Sequence, residues 1–437
     1  MINQMVMIIT LISIWLSLGL SLVILTGATH FWLKNSHVRA TVTQLPQAPL
    51  ISIVVPAHNE EVVISQTVQA ILNMNYPQAA VELLLFADNC EDQTYQVMQA
   101  TAQLAQYRKR NIKIIKRSGS GGKAGVLNDA LKIAHGEYIA VYDADAMPEK
   151  NALYFLVAKA LEDPERYVAA FGRNKTRNAT QNFLTRCINQ EIVVTQRIQH
   201  IGLWHLFKIG RIPGTNFIIK TEFVKKIGGW RNGGALTEDT DISFKIMQSG
   251  KLIALAYNSE AFQQEPETLK TYYLQRKRWA KGNYEVVLSN FKHLFDSSNW
   301  RVKLETFYYV CTFLWFNCAI ILSDIIFFSN AAILAAGIFI PNLQLPFMFS
   351  ASNIYITQIL FFNWALMILL YLLQISIALV TQFGQATSEQ IWLGLASYFS
   401  YSQLFIIVSI SAVVSVTLDR LLRRDGNVWV KTKRFDD

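Results

Sequence analysis

The chain has 437 residues, 52% of them apolar, with a mean hydropathy of +0.23 and a formal net charge of +9 at pH 7. That is too apolar for an ordinary soluble enzyme, yet long enough for one sizeable globular domain and several membrane helices. The positive balance suits an anionic membrane surface better than nucleic acid, because long uncharged tracts accompany it.

Four cysteines (Cys90, Cys187, Cys311, Cys318) form no CxxC pair or Cys/His cluster. This argues against a disulfide framework or zinc site and fits a reducing compartment. From Met5 to Leu33 no residue is charged, a length that crosses a bilayer. A cleaved signal peptide would have a basic start and a shorter apolar run. Residues 1–34 therefore read as a retained anchor. Lys34 and Arg39 follow at once, which places the N-terminus outside and the next segment in the cytoplasm.

Residues 45–292 read as a soluble α/β domain. Leu50 to Pro56 is a short β-branched run of the kind that forms a buried parallel strand. A helical pattern follows, with Val62, Val63, Val68, Ile71 and Leu72 on one side, and stops at Asn75-Tyr76-Pro77. Further strands are expected at 81–87, 111–116 and 136–142. Polar residues gather at strand ends, as in an open, mostly parallel sheet whose ligand crevice lies along the C-terminal edge.

Three acidic groups converge on that edge. Asp88-Asn89-Cys90-Glu91-Asp92 could receive a base or ribose, and an Asx-turn accounts for it equally well. Asp143-Ala144-Asp145 could hold one divalent cation with a nucleotide diphosphate, or serve only a turn. Thr237-Glu238-Asp239, after Gly228-Gly229-Trp230 and Gly233-Gly234, opens a helix through Ile242, Phe244, Ile246 and Met247. Its carboxylates fit ordinary capping, or a base that takes a proton from an attacking hydroxyl. Between them, Gly119 to Gly125 looks like a phosphate loop but fails as a Walker A motif. Arg117 stands where its first Gly is required, and Ala124 where Ser or Thr would bind magnesium. A flexible loop carrying Lys123 towards a phosphate remains.

Gln275-Arg276-Lys277-Arg278-Trp279 then joins the basic half to the apolar half. Such a patch suits a sugar stacked on Trp beside a phosphate, or an amphipathic helix on a membrane surface. Residues 293–305 have an interfacial texture, and from Thr306 to Leu418 only Asp324 and Glu389 are charged. Spans are expected near 306–328, 353–381 and 391–418. Residues 330–350, interrupted by Pro341 and Pro346, are a possible fourth span, a re-entrant piece or a loop. Asp324 fits a sugar-conducting path or a packing role. The basic tail, residues 419–437, asks for a cytoplasmic C-terminus, whereas three spans would put it outside. Four crossings reconcile the two.

Together PAHNEE (56–61), DNCED (88–92), DAD (143–145), TED (237–239) and QRKRW (275–279) form an ordered series. It resembles the processive family-2 glycosyltransferases, the membrane synthases of cellulose, chitin, hyaluronan and poly-N-acetylglucosamine. The resemblance runs from about residue 50 into the membrane half and implies a GT-A domain, Rossmann-like, between N- and C-terminal transmembrane helices. It implies that Asp88 contacts uracil, with Ala57 and Glu60 beside the nucleoside and Lys123, in a KxxxLN-like stretch ending at Asn128, near the nucleotide. Asp143 and Asp145 would hold Mg²⁺ or Mn²⁺ against the diphosphate, and Asp239 would be the base for inverting transfer. Gly214 and Thr215, in Pro213-Gly214-Thr215-Asn216, would line the acceptor end with Glu238, Gln275, Arg278 and Trp279.

The expected activity is that of a multi-pass plasma-membrane enzyme with its catalytic domain in the cytoplasm. It would polymerise a UDP-sugar into a β-linked exopolysaccharide and pass the chain across the bilayer. The single leading span and the length are most like the poly-β-1,6-N-acetylglucosamine synthases. A β-glucan synthase or a non-processive transferase to a membrane lipid is the alternative. The expected partners are the UDP-sugar, the growing polysaccharide, the lipid bilayer and a possible small membrane accessory subunit, with no nucleic acid.

Overall fold

The computed structural model describes residues 2–35, 45, 47–231, 237–340 and 354–422. Its first element is one long apolar helix, α1 (Ile2–Asn35), ending with Lys34 in its last turn, where a cation meets the negative end of the helix dipole. The globular domain alternates strands and helices. β1 (Ile51–Ala57) is followed by α2 (Ile64–Leu72), β2 (Val81–Asp88) by α3 (Thr94–Ala102), and β3 (Ile112–Arg117) by α4 (Gly122–Ile133). β4 (Tyr138–Val141) leads to a two-residue β5 (Met147–Pro148) and to α5 (Ala152–Leu161). β6 (Tyr167–Thr176) precedes α6 (Phe183–Val194), a π-helical turn (Thr195–His200) and α7 (Ile201–Phe207). β7 (Phe217–Lys220), α8 (Thr221–Lys226), α9 (Glu238–Gln248) and β8 (Leu252–Gln263) close the sheet, and α10 (Leu269–Asn290) carries QRKRW.

The eight strands lie in the order β3-β2-β1-β4-β7-β6-β8-β5. On one side β3, β2, β1 and β4 are all parallel. The apolar interiors of β1, β2 and β4 are buried on both faces, as a sheet covered by crossover helices requires, while the edge strand β3 is only half-buried. β7 pairs antiparallel with both β4 and β6, while β6 and β8 are parallel and bulged. The four strands read from sequence are the parallel half. The other half was missed because Phe217–Lys220 is only four residues long and β6 ends in the polar run Arg173-Asn174-Lys175-Thr176.

At the N-terminal edge of the parallel half a buried carboxylate fastens four elements. Glu82 accepts from Ser52 Oγ (2.7 Å), from the His135 backbone N–H (3.1 Å) and from Lys113 Nζ (2.8 Å), and it lies 2.9 Å from His135 Nδ1. Burial pushes its carboxyl up, but these bonds prevail and bring it down to about 2.

Beyond α10 the helices are apolar. α11 (Trp300–Val310) passes through a π-helical turn (Cys311–Trp315) into α12 (Phe316–Phe339), so helix runs straight through the boundary expected near 329. Pro341 and Pro346 lie outside the described residues, as do Arg39, Gly233, Gly234 and the tail from Arg423, and nothing is described of the Asp324 side chain. α13 (Ile354–Phe383) covers the expected 353–381 segment. The expected 391–418 span differs. It is two helices, α14 (Ser388–Phe399) and α15 (Tyr401–Leu421), broken at Ser400, whose φ of −127° and ψ of −74° are not helical. A capping box at Thr387 and Gln390 starts α14 afresh. Among the described residues three stretches are long and apolar enough to cross a membrane: 8–35, 362–383 and 388–421.

Candidate active site

Parallel strands bring their C-terminal ends to one edge, and the register does this residue by residue. Ala57 of β1 faces Ala87 of β2, Asp88 faces Arg117 of β3, and Val54 faces Val141 of β4, two residues before Asp143. Four loops leave this edge side by side.

At the β1–β2–β3 end the loops are knitted to one another. Asn59 (φ 55°) and Asn89 (φ 50°) take the left-handed conformation that Asn tolerates better than most residues. Asn59 Oδ1 accepts from the Glu91 N–H (2.8 Å), and Asn89 donates to the Gly119 carbonyl (2.8 Å). The Glu60 N–H donates to Thr94 Oγ1 (2.7 Å), and Thr94 in turn donates to Asp92 (2.6 Å). Asp88 is buried and paired with Arg117, its Oδ1 2.6 Å from Nη1. Arg117 also holds Asp129 through Nε (2.8 Å) and the Ser120 carbonyl through Nη2 (2.8 Å). Burial would lower this guanidinium, but Asp129 and Asp88 raise it, so it stays charged. In the sequence Arg117 served only to reject a phosphate loop. Its place opposite Asp88 needed the β2–β3 register, which no local signal supplies.

The second group centres on Lys123, in the first turn of α4. Gly121 (φ 90°) and Gly122 (φ 52°) turn the chain into the helix where a side chain would be strained. Lys123 Nζ donates to the Gly214 carbonyl (2.7 Å) and sits 2.6 Å from Asp143 Oδ1 and 3.4 Å from Glu238 Oε1. Burial opposes its charge, but Asp143 and Glu238 raise the ammonium above its ordinary value. Asp239 lies beside them. Its Oδ1 accepts the Thr240 N–H (2.7 Å), while Oδ2 is directed at Gly214, 3.1 Å from where a Cβ would stand. Gly214 has φ 85°, so both backbone and space demand glycine there. Burial and the Glu238 charge raise Asp239 to about 7, against a smaller opposing pull from Lys123.

Neighbouring residues hold this arrangement. Thr215 Oγ1 accepts the Asp143 N–H (2.9 Å), tying the Gly214 loop to the DAD turn. Ser243 donates to the Asp239 carbonyl (2.7 Å) and accepts the Ile212 N–H (3.0 Å). Asn128, one and a half turns beyond Lys123, grips both backbone groups of Trp230, accepting from N–H (2.9 Å) and donating to the carbonyl (2.8 Å). This pair of hydrogen bonds fastens the Asn end of the KxxxLN-like stretch to Trp230. Asp145 is almost fully buried and faces the charge of Arg177, a residue without a role in the sequence reading.

Among the described residues no group of three or more His, Cys, Asp or Glu is arranged to hold a metal. Asp143 is partly open and Asp145 buried behind it, so the donor set is one or two hard oxygens. This fits a cation of the magnesium kind, which takes few carboxylates and completes its shell with phosphates and water. The structure thus gathers Lys123, Asp143, Gly214, Thr215, Glu238 and Asp239, and separately Ala57, Glu60 and Asp88.

Gln275, Arg278 and Trp279 lie on α10, whose ties run elsewhere. Arg276 is 6% exposed, sits 4.4 Å above the Trp279 ring and 5.4 Å from that of Tyr272, and pairs with Glu191 of α6 (3.2 Å). Glu191 also accepts from the Tyr401 hydroxyl of α15. Gln275 is buried, and Trp279 keeps 37% of its surface exposed.

The sequence family described as "Glycosyltransferase like family 2" matches residues 46–282. A probable glycosyltransferase of Bacillus subtilis (strain 168), YdaM, is 32% identical over 98% of this chain and 97% of its own. The beta-monoglucosyldiacylglycerol synthase of Trichormus variabilis is 30% identical over 55% of this chain, which spans half of that protein. Among solved structures, the mannosyltransferase PcManGT from Pyrobaculum calidifontis, in complex with GDP-Man and Mn²⁺, superposes with a TM-score of 0.58 at 17% identity. It covers 95% of this chain and 99% of that one.

Proposed function

Because the chain belongs to the family-2 glycosyltransferases, we propose that it transfers a hexosyl group, with inversion, from a UDP-sugar to a hydroxyl presented at the cytoplasmic membrane face. The observation that carries this reading is Asp239. It is a carboxylate with one oxygen held by a backbone N–H and the other turned to the Gly214 loop, raised to about 7. A base poised near neutral pH takes a proton efficiently from an attacking alcohol.

In the proposed step the acceptor oxygen bonds to the anomeric carbon on the face opposite the diphosphate. The bond from that carbon to the β-phosphate oxygen breaks, the proton passes to Asp239 Oδ2, and UDP leaves with the bonding electrons. Asp88, fixed by Arg117, would receive the uracil ring beside Ala57 and Glu60. Lys123 would turn from Asp143 to the phosphates, a short move for a long flexible stem. Asp143 and Asp145 would hold Mg²⁺ or Mn²⁺, which neutralises charge building on the departing diphosphate. The metal in the complex of the fold relative supports this reading. Gly214, Thr215 and Glu238 would border the acceptor hydroxyl, and Gln275, Arg278 and Trp279 the sugar behind it.

QRKRW favours a processive enzyme, with an N-acetylglucosamine polymer as the product in view and a β-glucan as the alternative polymer. The second reading, sugar transfer to a membrane lipid, is favoured by the diacylglycerol-glucosylating relative. Purified protein incubated separately with UDP-GlcNAc, UDP-Glc and UDP-GlcA, followed by product sizing, separates them. Long polymer supports processivity, a short lipid-linked product supports the second reading, and no UDP release with any donor removes the transferase assignment.

A further inference from the structure

We propose that residues 388–421, though long and apolar enough to cross a bilayer, do not cross it. On this proposal the segment lies in the cytoplasmic leaflet with the catalytic domain at both of its ends. The proposal rests on the cytoplasmic placement of that domain given above.

The first observation is where the segment begins. α13 arrives at the globular domain, where Gln382 Oε1 accepts from Arg173 Nη1 of β6 (2.7 Å) and from Arg197 Nε of the π-helical turn (2.5 Å). Seven residues on, at the start of α14, Glu389 pairs with Arg186 of α6, and the Gln390 carbonyl accepts from Gln190 Nε2 (2.9 Å). The second observation is where it ends. Asp419, in the last turn of α15, is 2.6 Å from Nζ of Lys281 on α10, and that lysine is buried. Both ends of the 34-residue stretch are therefore fastened to one domain.

The path between them agrees. Tyr272 meets Tyr401, Tyr273 hydrogen bonds Ser411 (2.6 Å) and Lys281 meets Asp419, so α15 follows α10 in the same direction along its length. α10 carries Lys270, Arg276, Lys277, Arg278, Lys281 and Glu285 and follows directly from the sheet. A helix so charged is excluded from hydrocarbon, and its partner must share its depth. The face of α15 towards α10 is Tyr401, Val408, Ala412 and Val416. The opposite face exposes Ile407, Ile410, Val414, Leu418 and Leu421, a continuous apolar stripe at helical spacing. On α14, Trp392 and Phe399 are also exposed, aromatics of the kind that settle at headgroup level. The stripe continues from apolar α13, and Arg420, with Arg423 and Arg424 after it in the sequence, suits anionic headgroups. Its occupant is the acyl region of the inner leaflet.

One consequence removes the conflict between charge and span count. With α12, a 24-residue helix whose one charged residue is Asp324, taken as a crossing beside α13, two crossings remain after the enzyme domain, which returns the basic tail to the enzyme's side without a fourth span. The test is a sidedness assay on the full chain in membranes. Single cysteines replace Lys226, exposed on α8, and Asn427, in a background lacking the four natural cysteines, and react with a membrane-impermeant maleimide. The expected result is that both sites react only in inside-out vesicles. Asn427→Cys labelled in intact cells while Lys226→Cys is not would overturn the proposal. Both labelled in intact cells would keep the two ends on one side and instead remove the cytoplasmic placement. In the otherwise natural chain, a green fluorescent protein fused at the C-terminus should fluoresce and an alkaline phosphatase there should stay inactive. The reverse pattern rejects the proposal. Fluorophores at Ile407, Ile410, Val414 and Leu418 should be quenched by brominated lipids at one shallow depth, whereas a depth running through the mid-plane refutes it.

Discussion

The two ends of the candidate site treat charge in opposite ways. At the β2–β3 end the acids are matched by cations: Asp88 and Asp129 share Arg117, and Asp129 also pairs with Lys132. Around Lys123, three carboxylates crowd one ammonium, and nothing on Asp239 balances its neighbours fully. A neutralised, cross-bonded pocket suits a flat uncharged ring. A pocket with surplus negative charge is completed by a cation and by a proton taken from a substrate. On the proposed reading the first group would serve recognition and the second chemistry.

The contrast can be broken most sharply at Asp239. Asp239→Asn should lower kcat by about 10²- to 10⁴-fold, the range of a lost general base, while UDP affinity by calorimetry stays unchanged. Equal loss of binding would mean that Asp239 belongs to donor recognition. Gly214→Ala comes next: a left-handed backbone strained by roughly 1–2 kcal/mol, and a methyl 3.1 Å from the carboxylate. The misplaced base should cut kcat by roughly 10- to 100-fold with little change in KM.

The pH profile tests the same end more gently. A raised carboxyl is protonated below its folded value, so kcat/KM should fall about tenfold per unit as pH drops below about 7 and level off above it. A profile flat down to pH 5 would refute the assignment.

The recognition end should respond in the other currency. Arg117→Gln leaves Asp88 uncompensated and nearly buried, which costs on the order of 3 kcal/mol of stability. It should raise the donor KM by about tenfold while sparing kcat. A kcat loss without a KM change would erase the distinction between the two ends. The weakest effect belongs to Glu82 at the far edge of the same strands. Its folded carboxyl is depressed to about 2, so the folded state binds fewer protons than the unfolded one in mild acid. Its contribution is present above the ordinary carboxylate value and is lost as pH falls towards 2. Glu82→Gln should flatten that part of the acid denaturation curve and leave neutral activity alone.

The parallel half of the sheet was legible because each strand is a short run rich in Val, Ile, Leu or aromatic residues and closed by turn residues. The acidic clusters at Asp88 and Asp143 were legible because parallel strands deliver their ends to one side. Arg117 was not, since its meaning depends on standing opposite Asp88 in the register. Arg276 was passed over between two motif positions, although it is the residue stacked on Trp279. The break at Ser400 was hidden because hydropathy measures how apolar a segment is, not what grips its ends. Lys281 with Asp419 and Arg186 with Glu389 are separated by 138 and 203 residues. No window along the chain sees such pairs.

Arg276 above Trp279 has a further consequence. An indole has two faces, and here one is taken by a guanidinium anchored to two other helices. If Trp279 seats the acceptor sugar as proposed, the ring would meet it from one direction only. The two sides of a pyranose differ in their hydroxyls, so such a one-sided seat distinguishes a chain from the same chain turned over. Orientation would then be imposed on the acceptor before any bond is made.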